Sequence, residues 1–126
     1  MGDRSGSNPR RANGHRRDMV VRWLRSQGRP CWICREFGRS GVIDYTLPPG
    51  HPFSFECDEL VPVSKGGSPF SRSNVDAAHR CCNQWRGNRS VDEVRRIAHG
   101  AGRKDERLNA SPPAPSVRGV TSRLSD

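Results

Sequence analysis

The stretch FECDELVPVSKGG, residues 55–67, is the most strand-like part of this chain and carries two adjacent carboxylates, Asp58 and Glu59. Alternation from Phe53 to Val63 predicts a strand, and the Gly66-Gly67 pair predicts a loop after it. The acids stand out because the chain has a formal net charge of +9. Such a pair indicates either a solvated strand end or a site where a cation offsets the repulsion between the carboxylates.

Helices are predicted on both sides of this strand. They fall in three places: after Asp18, a possible N-cap, as far as about Gly28; over 79–86; and from Ser90, whose capping-box spacing to Glu93 opens a last helix that stops at Gly100. Two further segments are predicted less clearly, a weak strand over 42–45 and a short strand or turn over 74–78. Mixed helices and strands indicate an α+β fold.

The two ends of the chain have little capacity to form a core. Residues 1–17 are rich in Gly, Ser, Asn and Arg, and residues 101–126 include Ser111-Pro112-Pro113-Ala114-Pro115. Both are predicted to be disordered tails. The remaining range, 18–100, is predicted to be a single small domain. With only 32% hydrophobic residues in the chain, a core of this size usually needs a disulfide, a metal or a partner.

The charge favours a polyanionic partner, and nucleic acid is the commonest one; the alternative is an arginine-rich surface that only confers solubility. No stretch approaches the roughly 20 apolar residues of a membrane span, and no signal-peptide h-region is present. We therefore expect a cytoplasmic protein with no membrane partner. Since disulfides are rare in that compartment, the five cysteines indicate metal binding first.

The cysteines and one histidine form two clusters with zinc-ligand spacing. One is Cys-x-x-Cys, and the other is His79-Arg80-Cys81-Cys82. The predicted ligands of a structural, tetrahedral zinc site are Cys31, Cys34, His79 and Cys82. Cys81 is an alternative to His79, which is preferred because its i, i+3 spacing to Cys82 mirrors the first pair. Cys57 stands apart and is interpreted as a small buried hydrophobe.

The order of these motifs resembles the HNH endonuclease family, its phage-encoded branch above all. Over residues 31–89 the matching sequence runs Cys-x-x-Cys, Asp58-Glu59-x-Val-Pro-x-Ser-Lys-Gly-Gly, Asn74, His-x-x-Cys-Asn83 and Arg-Gly-Asn-Arg. The resemblance implies a zinc-stapled ββα-metal fold and a metal-dependent DNA endonuclease that hydrolyses phosphodiester bonds. It also implies double-stranded DNA as partner, a bacterial or phage-infected host cytoplasm, and action beside phage terminase or portal proteins in genome packaging.

The resemblance also assigns roles to single residues. Asp58 and Asn83 would hold a catalytic Mg²⁺ or Mn²⁺, and Asn74 would brace the loop after the strand. The helix from His79 would lie in the minor groove. Four basic residues would then contact DNA phosphates, namely Lys65, Arg80, Arg86 and Arg89. The arginines at positions 4, 10, 11, 16 and 17 could follow DNA in a non-specific way.

Glu59 is the departure from the family, which has a histidine there as general base. In model peptides the side-chain pKa of histidine is about 6.5 and that of glutamate is about 4.3, so glutamate is the weaker base at neutral pH. Three interpretations stay open: Glu59 acts as the base, Glu59 binds the metal, or the site no longer cleaves. His51 is an alternative base. The competing functions are a zinc-stapled DNA-binding module without chemistry and an accessory packaging protein.

Overall fold

The computed structural model describes residues 9–100 and 111–113. In chain order the elements are α1 (Pro9–Ser26), α2 (Trp32–Glu36), β1 (Phe55–Glu59), β2 (Val75–His79), α3 (Arg80–Arg86) and α4 (Val91–Ala98). Two 3₁₀ turns, Val63–Lys65 and Arg72–Asn74, lie between the strands. The protein thus has the small α+β fold that the sequence predicts. No helix in these described ranges is long and apolar enough to cross a bilayer.

The strands form an antiparallel pair that leads directly into a helix. Phe55 lies opposite His79, and Glu59 lies opposite Val75. Helix α3 begins at the residue after His79, and the Arg80 backbone N–H donates to the carbonyl of Ser54 at 2.8 Å. This ββα arrangement places one side of α3 along β1.

The core consists of two small groups of apolar side chains. One surrounds the cysteines and includes Ile33, Ile43 and Val94; the other lies under α1 and includes Leu24 and Val75. Few of the buried side chains are large. So small an apolar core agrees with the expectation that the domain needs an additional crosslink.

Helix α1 begins at Pro9, ten residues before the predicted start at Met19, so the part of the predicted disordered arm from Pro9 onward is helical. Proline suits the first helical position, and arginine and alanine are good helix formers. The C-terminal half of α1 is anchored because Val20 and Leu24 are buried against Val75. An anchored helix extends at low cost into residues that face water.

Only part of the predicted C-terminal tail can be compared with the structure. Residues 111–113 form no helix or strand, but Pro112 is buried and its carbonyl accepts a hydrogen bond from Arg39 Nη1 at 2.8 Å. Pro112 therefore packs against the domain, and the Pro113 carbonyl also contacts it. The other parts of the predicted tails, 1–8, 101–110 and 114–126, lie outside the described residues.

Two strand predictions differ from the structure. Residues 42–45 form a loop in which Ile43 is buried and the Tyr45 hydroxyl donates to the carbonyl of Arg29 at 2.6 Å. The strand predicted from Phe53 to Val63 is shorter at both ends, since a 3₁₀ turn starts at Val63. By contrast, the capping box of α4 is confirmed, because Ser90 and Glu93 bond each other's backbone N–H groups.

Candidate metal centre and adjoining cleft

The four predicted zinc ligands come together in one buried cluster. Their ligand atoms lie within 4.8 Å of one another. The Sγ of Cys34 is 3.7 Å from that of Cys82 and 3.5 Å from Nδ1 of His79. Four ligands at about 2.3 Å from a tetrahedral zinc ion would be about 3.8 Å apart, so the cluster has the dimensions of a zinc site. The Cys3His group could hold a structural metal ion such as zinc.

The surroundings of His79 also suit a metal ligand. Its Nε2 donates to the carbonyl of Val42 at 3.1 Å. That bond leaves Nδ1, the nitrogen facing the thiols, as the free acceptor that a metal requires. Cys81, the alternative ligand, is half-buried outside the cluster. The structure thus brings His79, and not Cys81, together with the other three predicted ligands.

The thiols share negative charge unevenly. Hydrogen bonds from Cys31 and Cys82 lower the pKa of Cys34, and nearby Arg39 adds to this effect. The pKa of Cys82 is raised, because its hydrogen bonds to Cys31 and Cys34 and its burial all favour the neutral thiol. A doubly charged ion would relieve this competition by stabilising all three thiolates.

A cleft of about 380 Å³ opens at the end of β1. Eleven residues line it: Arg17, Cys57, Asp58, Glu59, Pro62, Ser64, Lys65, Asn83, Arg86, Gly87 and Asn88. Asp58, Glu59 and Asn83 were singled out from the sequence as a catalytic group, and the fold brings all three to this one cleft. Lys65, a predicted DNA contact, is exposed at the same place.

Asp58 is the most enclosed of these residues. Its Oδ2 accepts hydrogen bonds from Trp32 Nε1 at 2.8 Å and from Arg86 Nη1 at 2.7 Å. Burial raises the pKa of Asp58, and the neighbouring Arg86 and Trp32 offset part of that rise. Neither of these bonds uses Oδ1.

Arg86 is not the surface DNA contact that the sequence predicts. The side chain is buried, and besides Asp58 it donates to the carbonyls of Glu59, Leu60 and Arg89 at 2.7–3.0 Å. Its guanidinium also lies 5.4 Å from the ring centre of Trp32. Four of its five N–H donors are thus bonded within the protein, since the short path from α3 to the end of β1 suits the length of an arginine. Arg86 therefore joins α3 to the strand that carries both acids.

Glu59 contacts a different part of the protein from Asp58. Its Oε2 lies 3.7 Å from Nη2 of Arg17 on α1, and both side chains are partly exposed. Arg17 also donates to Cys57, through Nη1 to Sγ at 3.2 Å and through Nη2 to the carbonyl oxygen at 3.4 Å. Cys57 is half-buried rather than fully buried. No sequence motif places Arg17 at this position, although Asn8-Pro9 matches the preferred start of a helix.

The two asparagines occupy different positions relative to the cleft. Asn83 lines it and donates from Nδ2 to Glu56 Oε1 at 3.0 Å, which leaves its amide oxygen out of that bond. Asn74 lies behind the loop: it accepts from the Val61 N–H at 3.0 Å and donates to the carbonyls of Val61 and Ser68 at 2.8 and 2.9 Å. These are the bonds that a loop-bracing role requires.

The glycine pair predicted as a loop has a specific packing reason. Gly66 has a φ of 93°, in the left-handed region. A Cβ on Gly67 would lie 1.7 Å from the carbonyl oxygen of Val61. Only glycines allow the backbone to turn this tightly beside the cleft.

The other predicted DNA contacts are held by neighbours. Arg80 is partly exposed and pairs with Glu56 at 3.4 Å. Arg89 lies over the ring of Trp85 at 4.4 Å and donates to the Trp85 carbonyl. His51, the alternative base, does not line the cleft; its Nδ1 accepts from the Phe53 N–H at 3.0 Å. The geometry therefore does not support His51 as the base.

Within the described ranges, one group of three or more His, Cys, Asp or Glu side chains could hold a metal, and it is the Cys3His cluster. Asp58 and Asn83 would supply only two protein ligands to a second ion. That small number fits Mg²⁺, which keeps several waters and commonly binds one or two carboxylates together with substrate phosphates. No protein-family model matches the chain, and neither does any curated protein or solved structure. The small ββα fold with its Cys3His cluster is compatible with an HNH-like zinc-stapled domain.

Proposed function

We propose that this chain is a metal-dependent DNA endonuclease of the HNH type, which hydrolyses phosphodiester bonds with Glu59 in place of the usual histidine. The observation that carries the proposal is the cleft at the end of β1. Three side chains with the required chemistry line it, Asp58, Glu59 and Asn83. Helix α3, which bears Asn83, and strand β2, which pairs with β1, are joined to α2 through the Cys3His cluster.

The chain's own residues would divide the reaction as follows. Asp58 and Asn83 would hold a Mg²⁺ or Mn²⁺ ion, whose charge would stabilise the negative charge that develops on the phosphate. Glu59 would accept the proton of the attacking water as general base. The Cys3His cluster, loaded with zinc, would keep β2, α2 and α3 in position. The resemblance to HNH proteins over residues 31–89 supports the roles of Asp58, Asn83 and the Cys3His cluster, and Glu59 stands where the family has its histidine base.

DNA is the substrate that the charges favour. The chain carries a formal net charge of +9, and three cationic side chains line the cleft beside its two carboxylates. A phosphodiester backbone is attracted to such a surface, largely without regard to sequence.

A second candidate is a DNA-binding module without chemistry. It is favoured by the fact that both cleft carboxylates already have arginine partners, Arg86 for Asp58 and Arg17 for Glu59. Neither acid then needs a metal ion to offset its charge. An accessory role beside phage terminase or portal proteins rests on the resemblance alone and is compatible with either candidate.

Cleavage of supercoiled plasmid tests the proposal. Zinc-loaded protein is incubated with Mg²⁺, Mn²⁺ or EDTA, as wild type and as Glu59→Gln, Glu59→His and Asn83→Ala. Asp18→Asn is the matched control, since it removes an exposed carboxylate on α1. Asp58→Ala alone is a poor test, because it also removes the partner of buried Arg86.

We expect metal-dependent cleavage by wild type and by Asp18→Asn. Because Glu59→Gln removes the proposed general base, its cleavage rate should fall on the order of 100-fold. If wild type is inert and Glu59→His cuts, the missing histidine was the defect and the natural protein is a binding module. If no variant cuts with any metal while the protein still binds DNA, the endonuclease proposal is wrong.

A further inference from the structure

Arg17 reaches the cleft from outside the motif that resembles HNH proteins. It lies on α1, upstream of the first cysteine pair, and its side chain lines the cleft together with Asp58, Glu59 and Asn83. Helix α1 is held against the sheet by buried Val20 and Leu24. The position of Arg17 is therefore set by packing and does not depend on an unanchored arm.

The present partners of Arg17 are weak ones. A thiol is a poor acceptor, the carbonyl of Cys57 is at 3.4 Å, and Oε2 of Glu59 is at 3.7 Å. The side chain is 29% exposed, and a partly exposed ion pair at that distance contributes little. A guanidinium has five N–H donors in a fork that matches phosphate, so much of its bonding capacity is unused.

The charges around Arg17 favour an anionic ligand. Arg86 and Asp58 neutralise each other as a buried pair. The remaining charged side chains of the cleft are Arg17, Lys65 and Glu59, which leaves one positive charge in excess. Lys65 is exposed, so a phosphodiester could contact both cations.

We propose that Arg17 binds a phosphodiester group of DNA in the cleft and exchanges its contact with Glu59 for a phosphate oxygen. The inference rests on the proposed function in one respect, that the cleft takes DNA. It assigns substrate binding to a residue of α1. It also has a consequence for Glu59, whose carboxylate would lose its cationic partner when DNA binds and become available to a water molecule.

The competing explanation is that Arg17 only orients Glu59. The two explanations differ when Glu59 is neutralised. A phosphate contact made by Arg17 persists in Glu59→Gln, whereas an effect exerted through the carboxylate disappears. Glu59→Gln is also suited to binding measurements with Mg²⁺, because the proposed function predicts that it cuts poorly.

The experiment measures DNA affinity and cleavage for full-length, zinc-loaded protein. Binding to a fluorescein-labelled duplex is followed by anisotropy between 50 and about 200 mM salt, where phosphate contacts dominate, for Glu59→Gln with and without Arg17→Ala. Plasmid cleavage at saturating DNA is compared for wild type, Arg17→Ala and Arg22→Ala. Arg22 is the matched control, an exposed arginine of the same helix outside the cleft lining. Zinc content and thermal unfolding establish that each variant is folded.

We expect Arg17→Ala in the Glu59→Gln background to weaken binding roughly tenfold at 0.1 M salt and to reduce the slope of log K against log salt by about 0.9, the value for one phosphate contact. A guanidinium on the phosphate would also stabilise the negative charge that develops there in the transition state. We therefore expect kcat of Arg17→Ala to fall on the order of 100-fold, and Arg22→Ala to stay near wild type. Two results would overturn the proposal. One is an equal loss of cleavage in Arg17→Ala and Arg22→Ala; the other is an unchanged DNA affinity when Arg17→Ala is added to Glu59→Gln.

The test of Arg17 can fail or succeed independently of the endonuclease proposal. If wild type binds DNA without cutting it, the endonuclease proposal fails, and the affinity and salt slope alone decide the role of Arg17. If wild type cuts and Arg17→Ala cuts equally well with an unchanged salt slope, the endonuclease proposal stands and the inference about Arg17 is wrong. A protein that neither binds nor cuts DNA contradicts both.

Discussion

The guanidinium of Arg86 lies 2.7 Å from Oδ2 of Asp58, and both side chains are buried. The pair connects α3 to the end of β1. Asp58 therefore has a role in the fold that is independent of any metal, and a loss of activity on its replacement would not by itself identify a metal ligand.

Removal of Arg86 should destabilise the domain strongly. Arg86→Met would leave Asp58 buried without its cationic partner and three backbone carbonyls without a donor. The expected loss is about 3–5 kcal/mol of unfolding free energy, measured by urea denaturation of the zinc-loaded protein. Arg95→Met is the control: its ion pair with Glu36 is exposed, and its loss should cost at most about 1 kcal/mol. Equal costs for the two variants would show that the Arg86 pair has no special importance.

The two adjacent cysteines of α3 should behave differently as zinc ligands. Cys82 belongs to the cluster and Cys81 does not. Cys82→Ser should lose the metal and the cooperative unfolding transition, because a structural zinc ion contributes directly to folding. Cys81→Ser should keep about one zinc ion per chain. The measurement is metal content by mass spectrometry together with circular dichroism. Loss of zinc from Cys81→Ser, which retains Cys82, would contradict the assignment.

Chelation should have the same effect as loss of a ligand. Treatment of the wild-type protein with a strong zinc chelator should abolish the thermal transition, and added zinc should restore it, because the apolar core is small. A protein that kept its thermal transition after complete metal removal would show that the core is sufficient alone.

The amide of Asn74 should determine how firmly the loop beside the cleft is held. Asn74→Asp keeps the acceptor for the Val61 N–H but loses both donors, to Val61 and Ser68. At about 0.5–1.5 kcal/mol for each lost bond, we expect a total of about 1–3 kcal/mol. Faster amide hydrogen exchange over residues 61–68 would locate the effect, with Asn13→Asp at an exposed position of α1 as the control. Unchanged exchange in Asn74→Asp would argue against a bracing role.

The C-terminal segment at residues 111–113 should slow zinc release. Arg39 donates to the carbonyls of Pro112 and Pro113, and Pro113 O also lies 3.4 Å from Cys82 Sγ. Arg39→Ala should weaken this cover and speed zinc transfer to a coloured chelator several-fold, while exposed Arg35→Ala should not. Equal rates for Arg39→Ala and wild type would mean that the segment does not protect the metal.

Local features of the structure were predictable from the sequence. The capping box of α4 depends on residues three apart, and the zinc ligands follow spacings that allow two donors to reach one ion. Apolar periodicity does not predict the start of α1 at Pro9, because the N-terminal half of this helix has no apolar period. The proline itself was the available signal.

The sequence by itself determined which residues could form the metal cluster and which strand carries the two acids, because these depend on residue chemistry and short-range spacing. Only the tertiary structure decided the partners of the two acids. Arg86 is buried against Asp58, and Arg17 lies beside Glu59. The physical reason is that the partner of an arginine depends on where tertiary packing places its backbone. The sequence alone does not distinguish one arginine of this chain from another in that respect.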